Sequence, residues 1–430
     1  MAARCSDGGN AVTLFADILS AVFERRIRRG TTEQAKDGRP LEDMALALVK
    51  TTGETSGLAL AREILARYTD LSDPEKLAFF THIARSMNID PEAVRTTLDA
   101  YERDASKDSY RAFAQAAEPP RQELIRRLNM VPGATGALVK MRADLLRLGR
   151  KDPELQALDL DFRHLFASWF NRGFLVLRPI SWNSPALILE KIIAYEAVHA
   201  IDSWEDLRRR LEPPDRRCFA FFHPSMPDEP LIFVEVALTQ GTPSSVQAVL
   251  AEGRAALPAE QADTAVFYSI SNCQTGLASI SFGNSLIKQV ASDLAAELEG
   301  LETFVTLSPI PGLTTWLQDA GLNYSSAHSE NMRAAAAHYL LNAKASNGLP
   351  YDPVARFHLG NGAIVHAVHA NADTSEKGRQ QSGGAMVNYL YDLAQVEENH
   401  EKFVTTYAVP ATQPVKDLAG PVALPANDER

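Results

Sequence analysis

The chain has 430 residues, 45% of them hydrophobic, and a formal net charge of −11. That is enough apolar material for roughly two or three packed domains, and the wrong charge balance for coating nucleic-acid phosphates with Lys and Arg. Its cysteines, Cys5, Cys218 and Cys273, are odd in number, far apart and without a C-x-x-C spacing, so neither a zinc ribbon nor a dithiol redox site is expected and a reduced, cytoplasmic compartment is.

The first residues lack the profile of a secretory signal. No apolar run of about 18 residues predicts a membrane helix, and the last four residues, Asn427 to Arg430, are not a peroxisomal ending. From Ala11 to Arg29, Leu14, Ile18 and Val22 recur at helical spacing. The basic stretch Arg25-Arg26-Ile27-Arg28-Arg29 reads as a solvated helix end favoured by the macrodipole. Helices are predicted at 40–51, 56–69, 73–87, 91–117, 120–129, 135–150 and 153–170. Ser72-Asp73-Pro74-Glu75 and Asp90-Pro91-Glu92 each put a capping residue ahead of an early-helix proline. Strand signals are nearly absent, so residues 1–170 are expected to form a helical domain that mediates oligomerisation.

Near residue 171 the texture changes. Gly173 to Leu177 is a short apolar run without helical period, and Arg217–Phe222 and Leu231–Leu238 read as strands around the Pro-rich turn Pro224–Pro230. A helix near 244–256, a strand at Ala265–Ser271, a helix at 284–299 and a strand at Phe304–Leu307 follow. Helices near 313–319 and 327–345, a strand near 363–369 and a helix near 380–398 complete a mixed catalytic domain over 171–410. Ala334–Ala337 reads as a close-packing helix face. Residues 411–430, rich in Pro, Ala and charge, are expected to be a disordered tail.

Three segments could carry chemistry. Ala278-Ser279-Ile280-Ser281-Phe282-Gly283-Asn284 links a strand to a helix start, where free N–H groups and the helix dipole would suit a pyrophosphate. Such junctions are common, and spacing alone favours an ordinary connection. Ser308 lies in Leu307-Ser308-Pro309-Ile310-Pro311-Gly312, where two prolines stop both strand and helix; by spacing alone it is a turn-forming serine. His358 lies in Arg356-Phe357-His358-Leu359-Gly360-Asn361-Gly362-Ala363, at a predicted turn beside a strand. Histidine can exchange protons near neutrality, but alone it reads as a satisfied, half-buried residue. Gly360-x-Gly362 lacks the third glycine of a dinucleotide fingerprint. His366 and His369, three apart on a predicted strand, should face opposite ways and make a poor metal pair. G-x-S-x-G, Walker A and H-E-x-x-H patterns do not occur.

Read together, these segments resemble the malonyl-CoA decarboxylase family. The resemblance is carried by Phe267-Tyr268-Ser269-Ile270-Ser271, by Phe282-Gly283-Asn284 ahead of Leu286-Ile287-Lys288, and by Leu307 to Gly312. Phe357-His358-Leu359-x-Asn361-Gly362-Ala363 and Asn388-Tyr389-Leu390-Tyr391 extend it. Trp182-x-Ser184-Pro185 and Glu229-Pro230-Leu231 fall in the same order, and the whole spans about 165–395. It implies an α+β two-domain fold class, an N-terminal all-helical bundle domain followed by a GNAT-like mixed α/β catalytic domain. It places CoA pyrophosphate at 278–284, a catalytic Ser308 and His358, and an active-site Tyr391. Animal members carry a Glu where this chain has Ser281, so no carboxylate role is carried over. Their interchain cysteine falls on Ala186, so no redox-linked tetramer is implied.

The implied reaction converts malonyl-CoA to acetyl-CoA and CO₂ through a thioester enolate protonated at the α-carbon, with no metal or organic cofactor. Ser308 would bind the departing carboxylate and orient or relay a proton, His358 would act as general acid for the enolate carbon, alone or with Ser308, and Tyr391 would position the pair or the malonyl group. The implied partners are malonyl-CoA and further copies of the chain, as a homodimer or homotetramer, with no nucleic acid and no membrane. Two other readings stay open: a GNAT-like acyltransferase acting on an amine, and a non-catalytic malonyl-CoA sensor.

Overall fold

Capping chemistry sets the helical half. In the computed structural model, which describes residues 38–280, 286–322 and 329–420, Ser72 and Glu75 close a capping box ahead of the helix Asp73–Ser86. The Asp90 carboxylate accepts from the N–H groups of Glu92 and Ala93. These devices satisfy N–H groups that no intrahelical carbonyl can reach. Helices run over Leu41–Lys50, Glu54–Thr69, Asp73–Ser86, Pro91–Arg103, Lys107–Ala117, Pro120–Asn129, Ala134–Leu148 and Pro153–Trp169. The helix expected from Ala11 and its basic end at 25–29 lie outside the described residues.

The helix expected over 91–117 is in fact two. Pro91–Arg103 stops at Asp104, and Ser106 caps Lys107–Ala117 by accepting from the Ser109 N–H at 3.3 Å. Short polar side chains that compete for backbone groups end helices in this way.

Among the described residues eight strands follow: β1 (Val176–Ile180), β2 (Arg216–His223), β3 (Met226–Thr239), β4 (Thr264–Asn272), β5 (Thr303–Thr306), β6 (Ser308–Pro309), β7 (Ile364–His369) and β8 (Met386–Leu390). They form one sheet in the order β1-β2-β3-β4-β5-β8-β6, with β7 also on β8. The pairs β1/β2, β2/β3 and β3/β4 are antiparallel, β4/β5 is parallel, and β8 runs antiparallel to β5, β6 and β7.

Several expectations need correction. The run at Gly173 begins with a 3-10 turn, Arg172–Phe174, before β1 starts at Val176. The helix expected at 244–256 spans only Val246–Leu250. Ala186–Tyr195 and Trp204–Leu211 are helices that the sequence reading left unassigned. The helix expected at 380–398 is a helix, Glu376–Ser382, then β8, then a helix, Val396–Thr406. Gly383 and Gly384 break the first helix at φ 61° and 82°, backbone angles that glycine tolerates best. Residues 411–420 belong to the fold rather than to a tail. Val365 donates to Pro410 O at 2.9 Å, Thr412 donates to Val365 O at 3.0 Å, and the helix Gln413–Leu418 buries Val415. Ala335, Ala336 and Ala337 are fully buried, where small side chains let the helix Ser329–Asn342 pack closely.

One apolar core runs through both halves. Leu124, Leu138 and Phe166 of the helices pack into the same cluster as Phe219, Phe221 and Leu231 of the sheet. The helical half is therefore fused to the sheet through buried apolar surface and does not ride on a polar seam.

Candidate active site

The sheet splits where β5 ends. β4 and β5 pair in parallel from Thr264/Thr303 to Phe267/Thr306, and the Leu307 N–H closes this ladder on Phe267 O at 3.0 Å. Beyond that point β4 stays with β3 as far as Asn272, whereas Ser308 and Pro309 turn to pair with β8. Pro309 has no N–H to continue the ladder toward β4. The parting strands leave a cleft of about 240 Å³, walled by Tyr268, Ile270, Pro309 and Phe357, with Ser308 and His358 on its surface. A buttress fixes the cleft's near wall. Glu196 accepts from the Ser269 hydroxyl with both carboxylate oxygens at 2.8 Å and from the Val198 and His199 N–H groups at 2.8 Å, which ties the Val198 loop to β4.

Three segments bring Ser308, His358 and Tyr391 together. Ser308 stands on β6. His358 lies in the last turn of the helix Pro353–Gly360, not at a turn beside a strand; Asp352 caps that helix by accepting from Ala355 N at 2.8 Å. Tyr391 follows β8 and is held by its N–H on Phe304 O at 2.8 Å. Ser308 Oγ lies 3.1 Å from His358 Nε2, and the Tyr391 hydroxyl lies 2.8 Å from His358 Nδ1. The imidazole stacks on the Tyr389 ring at 4.5 Å. All three are nearly sealed, at 5%, 2% and 1% exposure for Ser308, His358 and Tyr391.

Burial sets their charge. It lowers the His358 imidazole to about 3, so the ring is neutral at physiological pH, and it pushes the Tyr391 phenol well above its ordinary value. Asn361, at the end of the His358 helix, is fully buried beside Tyr391, and its side-chain amide has no hydrogen-bond partner of good geometry among the described residues.

Two polar residues beside this set were not foreseen. Thr306 Oγ1 accepts from the Ser308 hydroxyl at 2.8 Å and from the Tyr389 N–H at 3.1 Å. Asn388 Nδ2 donates to Thr306 O at 2.7 Å, while Asn388 Oδ1 meets His369 Nε2 at 2.5 Å. The Thr-x-Ser alternation of 306 and 308 carried a usable signal, since residues two apart on a strand share a face. Among the described residues, no group of three or more His, Cys, Asp or Glu side chains is gathered to hold a metal ion.

The predicted anion loop begins at the far end of β4. Ala278, Ser279 and Ile280 are described, with Ser279 at φ 64°; Ser281, Phe282, Gly283 and Asn284 lie outside the described residues. The approach to the loop is clamped by the helical half. Arg142, 1% exposed, donates to Gly276 O at 2.8 Å and Ala278 O at 3.0 Å and pairs with Asp159 at 2.7 Å. A Cβ at Gly276 would stand 1.8 Å from Val139 O, so only glycine fits against that helix. Nothing local marks Arg142 in the sequence, because its loop partners lie more than 130 residues away.

The neutral imidazole has a stability consequence. An unfolded His358 takes up a proton near pH ~6.5, and the folded one does so only near 3. Between these values the unfolded state binds more protons, so this residue costs stability as pH falls and nothing above that window. The Tm difference between wild type and His358→Gln is expected to shift in the variant's favour from about pH 7 to about pH 4.5, measured by calorimetry. A difference independent of pH would contradict a neutral, buried imidazole.

Two family models match, "Malonyl-CoA decarboxylase C-terminal domain" over residues 173–329 and 320–429, and "Malonyl-CoA decarboxylase N-terminal domain" over residues 87–170. A mitochondrial malonyl-CoA decarboxylase of Anser anser anser is 34% identical over 349 residues, covering 69% of this chain and 69% of the relative. The crystal structure of malonyl-CoA decarboxylase from Rhodopseudomonas palustris superposes with a TM-score of 0.83 at 47% identity, covering 88% of this chain and 98% of that one. That of the Agrobacterium vitis protein does so at 0.84 and 46%, covering 89% and 100%.

Proposed function

The chain belongs to the malonyl-CoA decarboxylase family, and we propose that its Ser308, His358 and Tyr391 carry out the conversion of malonyl-CoA to acetyl-CoA and CO₂. The observation that supports this most is the hydrogen-bonded series Tyr391–His358–Ser308 opening on the cleft where the sheet splits.

The chemistry asks little beyond position. The bond between the α-carbon and the carboxylate breaks, CO₂ leaves, and the electron pair enters the thioester as an enolate. The α-carbon then takes a proton, and one solvent proton is consumed per turnover. The thioester carbonyl is its own electron sink, so the reaction needs neither a metal nor an organic cofactor. Ser308 meets the departing carboxylate at the cleft surface. A neutral His358 delivers a proton to the enolate carbon through Ser308, since a thioester enolate is the stronger base. Tyr391 orients the ring from its other side. The apolar walls of the cleft, Ile270, Pro309 and Phe357, favour loss of a charged carboxylate as neutral CO₂.

The pyrophosphate of CoA is assigned to the loop of Ala278, Ser279, Ile280, Ser281, Phe282, Gly283 and Asn284, ahead of the helix Leu286–Glu297; the Ala278 and Ile280 N–H groups already donate to Thr275 O at 3.1 Å and Leu277 O at 3.0 Å, so those two are not donors to it. Anchoring the remote end orients the acyl end over Ser308. Incubation with malonyl-CoA alone tests the reading. Acetyl-CoA and CO₂ in equal amounts are expected; CoA release only with an added amine would indicate an acyltransferase, and tight binding without turnover a sensor.

A homo-oligomer assembled through the helical half is the further part of this reading. The helices Pro91–Arg103 and Lys107–Ala117 are strongly amphipathic, yet neither contains a buried residue. Tyr110 is 58% exposed, and Leu98, on the other of these two helices, is 36% exposed. An apolar stripe of this kind is normally covered. Leu98→Glu with Tyr110→Glu is expected to reduce the mass measured by light scattering to that of one chain; an unchanged mass would remove the hairpin from the interface. No helix among the described residues is long and apolar enough to cross a membrane. The buried free thiols Cys218 and Cys273 suit a reducing, cytoplasmic setting.

A further inference from the structure

The series of hydroxyls in the cleft has a direction, and one buried side chain sets it. Thr306 is fully buried on β5, two residues before Ser308. β8 runs opposite in one register, with Val305 facing Leu390 and Ser308 facing Val387. Within that register the usual backbone exchange is replaced by side chains. The Tyr389 N–H donates to Thr306 Oγ1 at 3.1 Å, and Asn388 Nδ2 fills Thr306 O at 2.7 Å. Tyr389 thereby fixes the Thr306 hydroxyl, and Asn388 fixes the backbone carbonyl of the same residue.

Ser308 has a single hydroxyl proton, and it points at Thr306 Oγ1 at 2.8 Å. Toward His358 Nε2, 3.1 Å away, Ser308 can then only accept. Nε2 therefore carries the ring's hydrogen. A neutral imidazole has one N–H, so Nδ1 is bare and accepts from the Tyr391 hydroxyl at 2.8 Å.

We propose that Thr306 is the positioning residue that fixes His358 as the Nε2–H tautomer and so aims the protons of the relay toward the cleft. In turnover, Ser308 rotates about its Cβ–Oγ bond and gives its proton to the enolate carbon. Nε2 returns a proton to Ser308 and Nδ1 takes one from Tyr391; the solvent proton that each turnover consumes then enters at Ser308 from the cleft and runs the relay back, Ser308 giving a proton to Nε2 and Nδ1 giving one to the Tyr391 phenolate. One C–H bond forms, and every O–H and N–H bond broken is remade. The use of the relay rests on Ser308 and His358 being the proton-delivering pair; the tautomer itself can be read without substrate.

Isotope-labelled histidine NMR distinguishes the two ring nitrogens of His358, assigned by the signal lost in His358→Gln. Wild type is expected to show a protonated Nε2. Thr306→Val frees the Ser308 proton for Nε2 and is expected to move the hydrogen to Nδ1, with kcat lowered by about tenfold or more and KM little changed, part of the usual worth of acid–base positioning. Thr306→Ser should restore the Nε2–H signal and most of the lost rate. A wild-type ring protonated at Nδ1, or a Val variant still protonated at Nε2, would overturn the proposal. If the Val variant does not fold, the wild-type and Thr306→Ser spectra decide alone. A correct tautomer in protein that leaves malonyl-CoA intact would sink the proposed reaction and leave the positioning role standing.

Discussion

His358→Gln is expected to lower malonyl-CoA turnover by on the order of 10²–10⁴, the usual worth of a positioned acid or base. Glutamine is close to histidine in size and neutral, as the buried imidazole is, so the cavity stays filled. What it cannot do is accept at one nitrogen and donate at the other along the line from Tyr391 to Ser308, where the contacts are 2.8 and 3.1 Å. Ser308→Ala should cost a similar factor, and the double variant little more than either single one, because residues that act as a unit are not additive. Acetyl-CoA formation under saturating malonyl-CoA measures this, with equilibrium binding of substrate as the control. Wild-type turnover by either single variant would remove the pair from the mechanism.

Arg142→Met is expected to lower stability by about 3 kcal/mol and to raise KM for malonyl-CoA more than it lowers kcat. The guanidinium is nearly fully buried, and its loss leaves Gly276 O and Ala278 O without their donor and Asp159 without its cation. Each buried orphan costs about 1–3 kcal/mol, and Asp159, partly open to water, recovers some of its share. Methionine keeps much of the apolar bulk, so the loss is polar. Because Arg142 holds the limb that leads into the 278–284 loop, the second effect should fall on binding of the CoA end. Denaturant unfolding and steady-state kinetics read the two effects separately. A stable variant with unchanged KM would show that the clamp does not govern the loop.

Between Glu376 and Thr406 the residue pattern does not separate helix from strand. β8 is buried along nearly its whole length, so Met386, Val387, Asn388, Tyr389 and Leu390 show no alternation of apolar and polar residues. A short apolar run of that kind cannot be told from helix by period alone. The signal that would have corrected it was Gly383-Gly384, a helix terminator in plain view. The residues left over at 104–106 failed differently: each of the flanking segments is genuinely helical, and only the caps at Asp104 and Ser106 separate them.

What the sequence by itself determined is therefore local and chemical. Helix starts at Ser72 and Asp90, a strand that stops just ahead of Ser308-Pro309, and the order of the Ser, His and Tyr motifs follow from residue types within a few positions of one another. Tertiary structure decided that these motifs meet. The split of β4 from β5 opens the cleft, β8 places Tyr391 behind the ring, and Arg142 reaches across from the helical half. It also decided their protonation, because the fall of His358 to about 3 comes from desolvation, and desolvation is a property of what packs around a residue rather than of the residue.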